Sequence, residues 1–93
     1  MDDVQLRDAL FNWLQIAIVA EARPTDGAAQ ETRAFFEEIL RDDHGLTAFS
    51  KEADETMYHI RYEIGGRSLK LMFDRESAEQ LLADIHANPK YNE

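Results

Sequence analysis

The residue types that do chemistry are few in this chain and do not gather. There is no cysteine, which excludes disulfides, thiolate metal sites and a cysteine nucleophile. The three histidines, His44, His59 and His86, fall on separate stretches with no spacing that links them. Asp42-Asp43-His44 is the nearest thing to a ligand cluster. Consecutive residues at a helix end point in different directions, and no set of ligand spacings completes a metal site around them. His86 sits where the last turn of a helix is expected, and a cation there complements the negative helix end. No G-x-S-x-G, Walker loop, G-x-G-x-x-G or H-E-x-x-H is present. Gly65-Gly66 joins two strand-like runs, so it reads as a turn and not as a phosphate cradle at a helix start. The expectation is a non-enzymatic chain with no cofactor and no metal.

Charge is more informative. Ten Lys plus Arg stand against nineteen Asp plus Glu, for a net charge of -9. A field of that sign repels phosphate backbones, so no nucleic-acid binding is expected. The acidic clusters Glu37-Glu38, Asp42-Asp43 and Glu52 to Glu55 admit two readings, a surface that mimics nucleic acid and a merely solvated one. Arg33, Arg41 and Lys51 interrupt them, which favours the second. Against this background one group of cations stands out. Arg61, Lys70 and His59 alternate onto one side of a strand pair, with Arg67 near the turn and Met57 and Met72 beside them. These six residues form the expected partner-binding surface. Methionine adapts to varied partners, and cations on an acidic protein select an acidic target. Arg61 and Lys70 come directly opposite each other, a mildly unfavourable pair, with Glu63 placed diagonally.

The elements that carry these residues follow from periodicity. Ala9 to Ala20 is apolar except for Asn12 and Gln15, and it holds the only tryptophan, Trp13. At about 100° per residue the apolar arc spans roughly 200°, twice the stripe of an ordinary surface helix. Leu6, Leu10, Trp13, Leu14 and Ala17 are its centre, and Val19 falls among the polar residues. This helix should run to about Ala22, capped by Asp2 or Asp3, and form the centre of the core. Arg23 precedes Pro24 and is pushed toward an extended conformation, and Thr25 or Asp26 caps a second helix over about 26 to 43. Its expected inner face is Ala28, Ala29, Thr32, Phe35, Phe36, Ile39 and Leu40. Arg33, Glu37 and Arg41 are placed on its exposed side, and Gly45 is its stop.

After Gly45 the period becomes two. Tyr58, Ile60, Tyr62 and Ile64 alternate with Met57, His59, Arg61 and Glu63, and Gly65-Gly66 makes a two-residue hairpin turn. Pairing Ile64 with Arg67 puts Leu69, Leu71 and Phe73 on the buried side and Ser68, Lys70 and Met72 on the other. A weaker strand is expected over Leu46 to Lys51. With Glu52 to Glu55 as the loop, Phe49 faces Tyr58 and points inward. Asp74 caps a last helix, about 75 to 87, whose Ala78, Leu81, Leu82 and Ile85 face the core.

The expected fold is a single α+β domain over 1–88 with a short polar tail at 89–93. Its order is α-α-β-β-β-α, a three-stranded antiparallel sheet packed on one face by a helical layer. From the second helix onward this order resembles the double-stranded-RNA-binding domain. That family places a basic motif at the start of its final helix to grip phosphates. Here the same place reads Asp74-Arg75-Glu76-Ser77-Ala78-Glu79, so the resemblance implies a topology and not RNA binding. Met1-Asp2-Asp3 lacks the positive charge of a secretory signal, and the 9–20 run is too short for a bilayer. A cytoplasmic location with no membrane contact is expected. The function expected is protein interaction or regulation, including a possible homodimer through Phe11, Ile18 or Val19. The alternative is a small-ligand or accessory module that uses the cationic sheet face, with an acidic nucleic-acid mimic as the third reading.

Overall fold

A computed structural model of the chain describes residues 4–88. The proposed Asp2 or Asp3 cap and the 89–93 tail lie outside the described residues. The order is α1 (Val4–Ala22), α2 (Gly27–Asp42), β1 (Leu46–Ala53), β2 (Met57–Ile64), β3 (Arg67–Asp74), α3 (Arg75–Ala78) and α4 (Gln80–Ala87). The strands form one antiparallel sheet in the order β1-β2-β3, and the helices pack on one of its faces.

The wide apolar arc of α1 is used on all its sides. Leu10, Trp13, Leu14, Ala17 and Ile18 meet Leu40 of α2, Leu46 of β1, and Tyr58, Ile60, Tyr62 and Phe73 of the hairpin. Ile16, Val19 and Ala20 form a second cluster with Ala29, against which Leu81, Leu82 and Ile85 pack. Val19, which breaks the polar back of the helical wheel, is therefore only 1% exposed. Its cover comes from α2 and α4, and Ile18 is likewise buried within the chain. Phe11 is half-buried, its ring 5.0 Å from that of Phe73.

Short polar contacts fix how α1 meets α2. Asp26 is the N-cap and accepts from Ala29 N–H at 3.1 Å. The Arg23 guanidinium also holds Asp26, at 3.0 Å. The Ala29 amide first, and then Arg23, keep this carboxyl below its ordinary range. Gln30 Nε2 donates to Ala20 O at 2.8 Å, satisfying a carbonyl at the end of α1.

Two side chains of α2 lie elsewhere than the pattern suggests. Phe35 is 59% exposed, because α2 meets the core through Ala29, Phe36 and Leu40. Among the described residues Ala28, Thr32 and Phe35 form a parallel stripe that stays exposed. Glu37, conversely, is only half exposed. Its carboxylate accepts from Trp13 Nε1–H at 3.0 Å and from Arg33 Nε at 3.1 Å. The i, i+4 pair is real, and it also satisfies the one polar atom of the buried indole.

The hairpin has the expected register throughout, from Ile64↔Arg67 to Tyr58↔Phe73. Gly65 and Gly66 have φ of 58° and 77°, as a type I′ turn requires. The β1 register differs from expectation. Phe49 lies opposite Tyr62, not Tyr58, since β1 continues to Ala53 and the connection shrinks to three residues. Asp54 tightens it by accepting from Thr56 N–H at 2.9 Å and Met57 N–H at 2.7 Å. The displacement is an even number of residues, so Phe49 keeps its face. It meets Trp13 edge-on at 5.2 Å between ring centres. An irregularity between Leu46 and Ala48 lets Leu46 and Phe49, three residues apart, both face inward.

The last helix is interrupted. Glu79 has φ -91° and ψ -1° and separates α3 from α4. Its carboxylate accepts from Tyr58 Oη at 2.6 Å and from Arg75 Nη2 at 2.8 Å, while Arg75 Nη1 donates to Asp54 O at 2.7 Å. This cluster ties the helical junction to the β1–β2 turn.

Candidate functional site

Among the described residues the helices cover one face of the sheet and leave the other bare. Alternation brings Met57, His59, Arg61 and Glu63 of β2 to the bare face, with Ser68, Lys70 and Met72 of β3. Arg61 is opposite Lys70, and His59 is opposite Met72. From β1 the face receives Ala48, Ser50 and Glu52, opposite Glu63, Arg61 and His59. Small residues thus flank the two long cations, and a depression of about 610 Å³ lies among Ala48, Ser50, Arg61, Glu63, Ser68 and Lys70. Met72, at one end of this face, is 49% exposed.

Electrostatic partners separate these residues from the other cations. Arg23 holds Asp26, Arg33 holds Glu37, Lys51 holds Glu21 at 2.8 Å, and Arg75 holds Glu79. Arg7 lies 4.7 Å from the centre of the Phe73 ring, and Arg41 lies 6.0 Å from that of Phe49. Among the described residues Arg61, Lys70 and Arg67 have no such contact. Glu63 makes no ion pair with either Arg61 or Lys70, so the two cations face each other unrelieved.

Two of the six expected residues differ from the others in their surroundings. Arg67 pairs with Ile64 and shares the alternation of Leu69 and Phe73, so it stands at the turn on the opposite parity from Arg61 and Lys70. His59 is half-buried and committed to the fold. Its Nε2 donates to the Asp54 carboxylate at 2.6 Å, and its Nδ1 is buried without a partner. The pair closes the turn that the Asp54 carboxylate already organises. The sequence pattern places Asp54 in a solvated acidic loop and so gives no sign of this clamp. Ala48 and Ser50 were missed with it, since only the correct β1 register brings them beside Arg61. An Asp followed after one residue by Thr-Met at a strand start was the available signal.

The histidine first, and then the Thr56 and Met57 amides, hold Asp54 well below the usual carboxylate range. An unfolded aspartate titrates near about 3.9, so the stabilisation is fully present above that pH. It is lost as pH falls toward the depressed folded value. Asp54→Asn should therefore be less stable than the parent at pH 7. It should also lose less on acidification from pH 5 to pH 2.5, as urea unfolding at each pH would show. Equal acid slopes would remove Asp54 from this role.

Among the described residues no three His, Asp or Glu side chains group as a metal ion would need. None of the described helices is long and apolar enough to cross a membrane. A second depression, about 450 Å³, runs between α1, α2 and α4 past Ile16, Thr32, Leu81 and Ile85. It is apolar, with Asp26 and Asp84 at its margins.

Fold and site together define an α+β domain with one packed and one bare sheet face, the bare one cationic at its centre on an acidic chain. Compared with protein-family models, curated proteins and solved structures, the chain matches none.

Proposed function

We propose that this is a non-enzymatic interaction domain that binds an acidic segment of a protein partner on the bare sheet face. The observation that carries the reading is the Arg61–Lys70 pair. Most cations of the chain are held by a carboxylate or an aromatic ring, yet these two are placed directly opposite each other and left open. Like charges facing across strands are destabilising, so a bound carboxylate is what the arrangement lacks. Contacts of this kind set orientation and association rate.

Lys70→Glu tests this, because it moves stability and binding in opposite directions. Opposite Arg61 it replaces a like pair by an ion pair, so stability should rise by a few tenths to about 1 kcal/mol. Retention on an immobilised glutamate-rich peptide should fall at least about tenfold, and retention by the parent should weaken with salt. A parent that ignores the peptide, or a variant that holds it equally, would refute the assignment.

A second reading, capture of a small anionic ligand, draws on the depression beside the same two cations. Its volume is within the range of small-molecule sites, but its floor is the flat of a sheet. Saturable binding of an inorganic anion or a small dicarboxylate, with no retention of the peptide, would favour it.

A further inference from the structure

We propose that the open edge of β3 receives an extended acidic segment of the partner as a fourth strand. This deepens the reading above and rests on it. The strand order leaves β1 and β3 as the two edges of the sheet. β1 is guarded in the ways edges usually are. It has a register irregularity at Leu46, and it carries an inward-facing charge, Lys51, tied to Glu21. Among the described residues β3 has neither of these devices, and the charge at its mid-edge is Lys70. It pairs with β2 without interruption over all eight residues and contains no proline.

The phase of the ladder shows which backbone groups the edge offers. A two-residue turn makes Ile64 and Arg67 a pair that exchanges both hydrogen bonds, and such pairs recur at every second residue. Arg75 N–H donates to Thr56 O at 2.9 Å, in the same phase. Ser68, Lys70 and Met72 therefore direct their N–H and C=O groups away from β2, toward the open side. Unpaired groups in a row are a template for another strand.

Side chains on the two faces of that edge specify the guest. On the bare face an added strand meets Lys70 and, behind it, Arg61. On the packed face it meets Leu71 and Val4, the latter 59% exposed, at the mouth of a depression of about 280 Å³. Since side chains alternate along a strand, the fitting sequence alternates acidic with apolar residues. A second copy of this chain fits less well. Antiparallel pairing of β3 with itself about its centre sets Lys70 against Lys70, and each chain carries a net charge of -9. A lysine in mid-edge deters such pairing, and the same charge attracts an acidic strand.

The probe is an eight-residue peptide alternating valine and glutamate, observed through amide hydrogen exchange of the whole protein. On binding, exchange at Ser68, Lys70 and Met72 should slow at least about tenfold, the effect of one good hydrogen bond. Met72→Pro removes an outward N–H without touching the β2–β3 ladder and should weaken binding at least about tenfold. Met72→Ala should bind within about threefold of the parent, and circular dichroism would establish that both variants fold. If the peptide binds and Lys70→Glu abolishes it, yet those three amides are unchanged and Met72→Pro binds normally, the cationic face stands and the added strand is refuted. If the peptide does not bind, both fall. A dimer of the free chain that Met72→Pro dissolves would give the edge to a second copy and also overturn the proposal.

Discussion

Truncating Trp13 to alanine should leave the domain close to unfolding, with a loss of about 3–5 kcal/mol from a total that is typically 5–15 kcal/mol. Three observations set the size of the effect. The side chain is 2% exposed, so its removal leaves a cavity in the cluster that joins α1 to α2 and the sheet. It contacts Phe49 edge-on, a geometry worth about 0.5–1.5 kcal/mol beyond burial. Its N–H satisfies Glu37, whose carboxylate is shared with Arg33. Trp13→Phe separates these terms. It keeps most of the apolar volume and removes the N–H, so a loss of about 1.5–3 kcal/mol is expected, that of one hydrogen bond to a charged group. Denaturant unfolding followed by far-ultraviolet circular dichroism measures both without relying on indole fluorescence. A loss below about 1 kcal/mol for Trp13→Ala would mean that the centre of the core lies elsewhere.

The parts of the fold legible in the sequence are those where one strong periodicity decides the matter. The breadth of the apolar arc on α1 required cover on several sides, and the chain provides it from the sheet, α2 and α4. The Gly-Gly turn fixed the β2–β3 register, and with it the opposition of Arg61 and Lys70. Misplacements arose where a side chain's partner was distant in sequence. Glu37 looked solvated on the wheel of α2, but Trp13, twenty-four residues earlier, supplies its donor. Phe35 matched the inner stripe of α2, yet α1 has room only for the adjacent row at Ala29, Phe36 and Leu40. β1 runs two residues past the strand its sequence pattern predicts, because Asp54 is a turn residue and not one more acid in a loop. Its two amide bonds make a tight turn that draws Glu52 and Ala53 into the strand. Arg67 has the pairing with Ile64 that the turn requires, which keeps it near the turn and on the parity opposite to Arg61.

Those same distant contacts give the molecule a sharp alkaline limit. Burial first, and then the Glu79 carboxylate that accepts its hydrogen bond, push the Tyr58 hydroxyl up to about 12. In the unfolded chain a tyrosine ionises near about 10. Between those values the folded state holds a proton that the unfolded state has lost, so stability falls as pH rises. The contribution is whole below pH 10 and gone once pH passes 12. With about 1.4 kcal/mol for each pH unit between the two ionisations, the loss reaches at most about 2–3 kcal/mol. The break should start at the α3–α4 junction. An ionised Tyr58 faces the Glu79 carboxylate, and Arg75, 5.4 Å over the Tyr58 ring, is left to neutralise two anions. Tyr58→Phe should cost about 1.5–3 kcal/mol at pH 7, for a lost hydrogen bond to a charged group. It should then unfold with a flatter dependence between pH 10 and 12 than the parent. Urea unfolding at pH 8, 10 and 11.5 compares the two slopes, and identical slopes would show that the alkaline limit originates elsewhere.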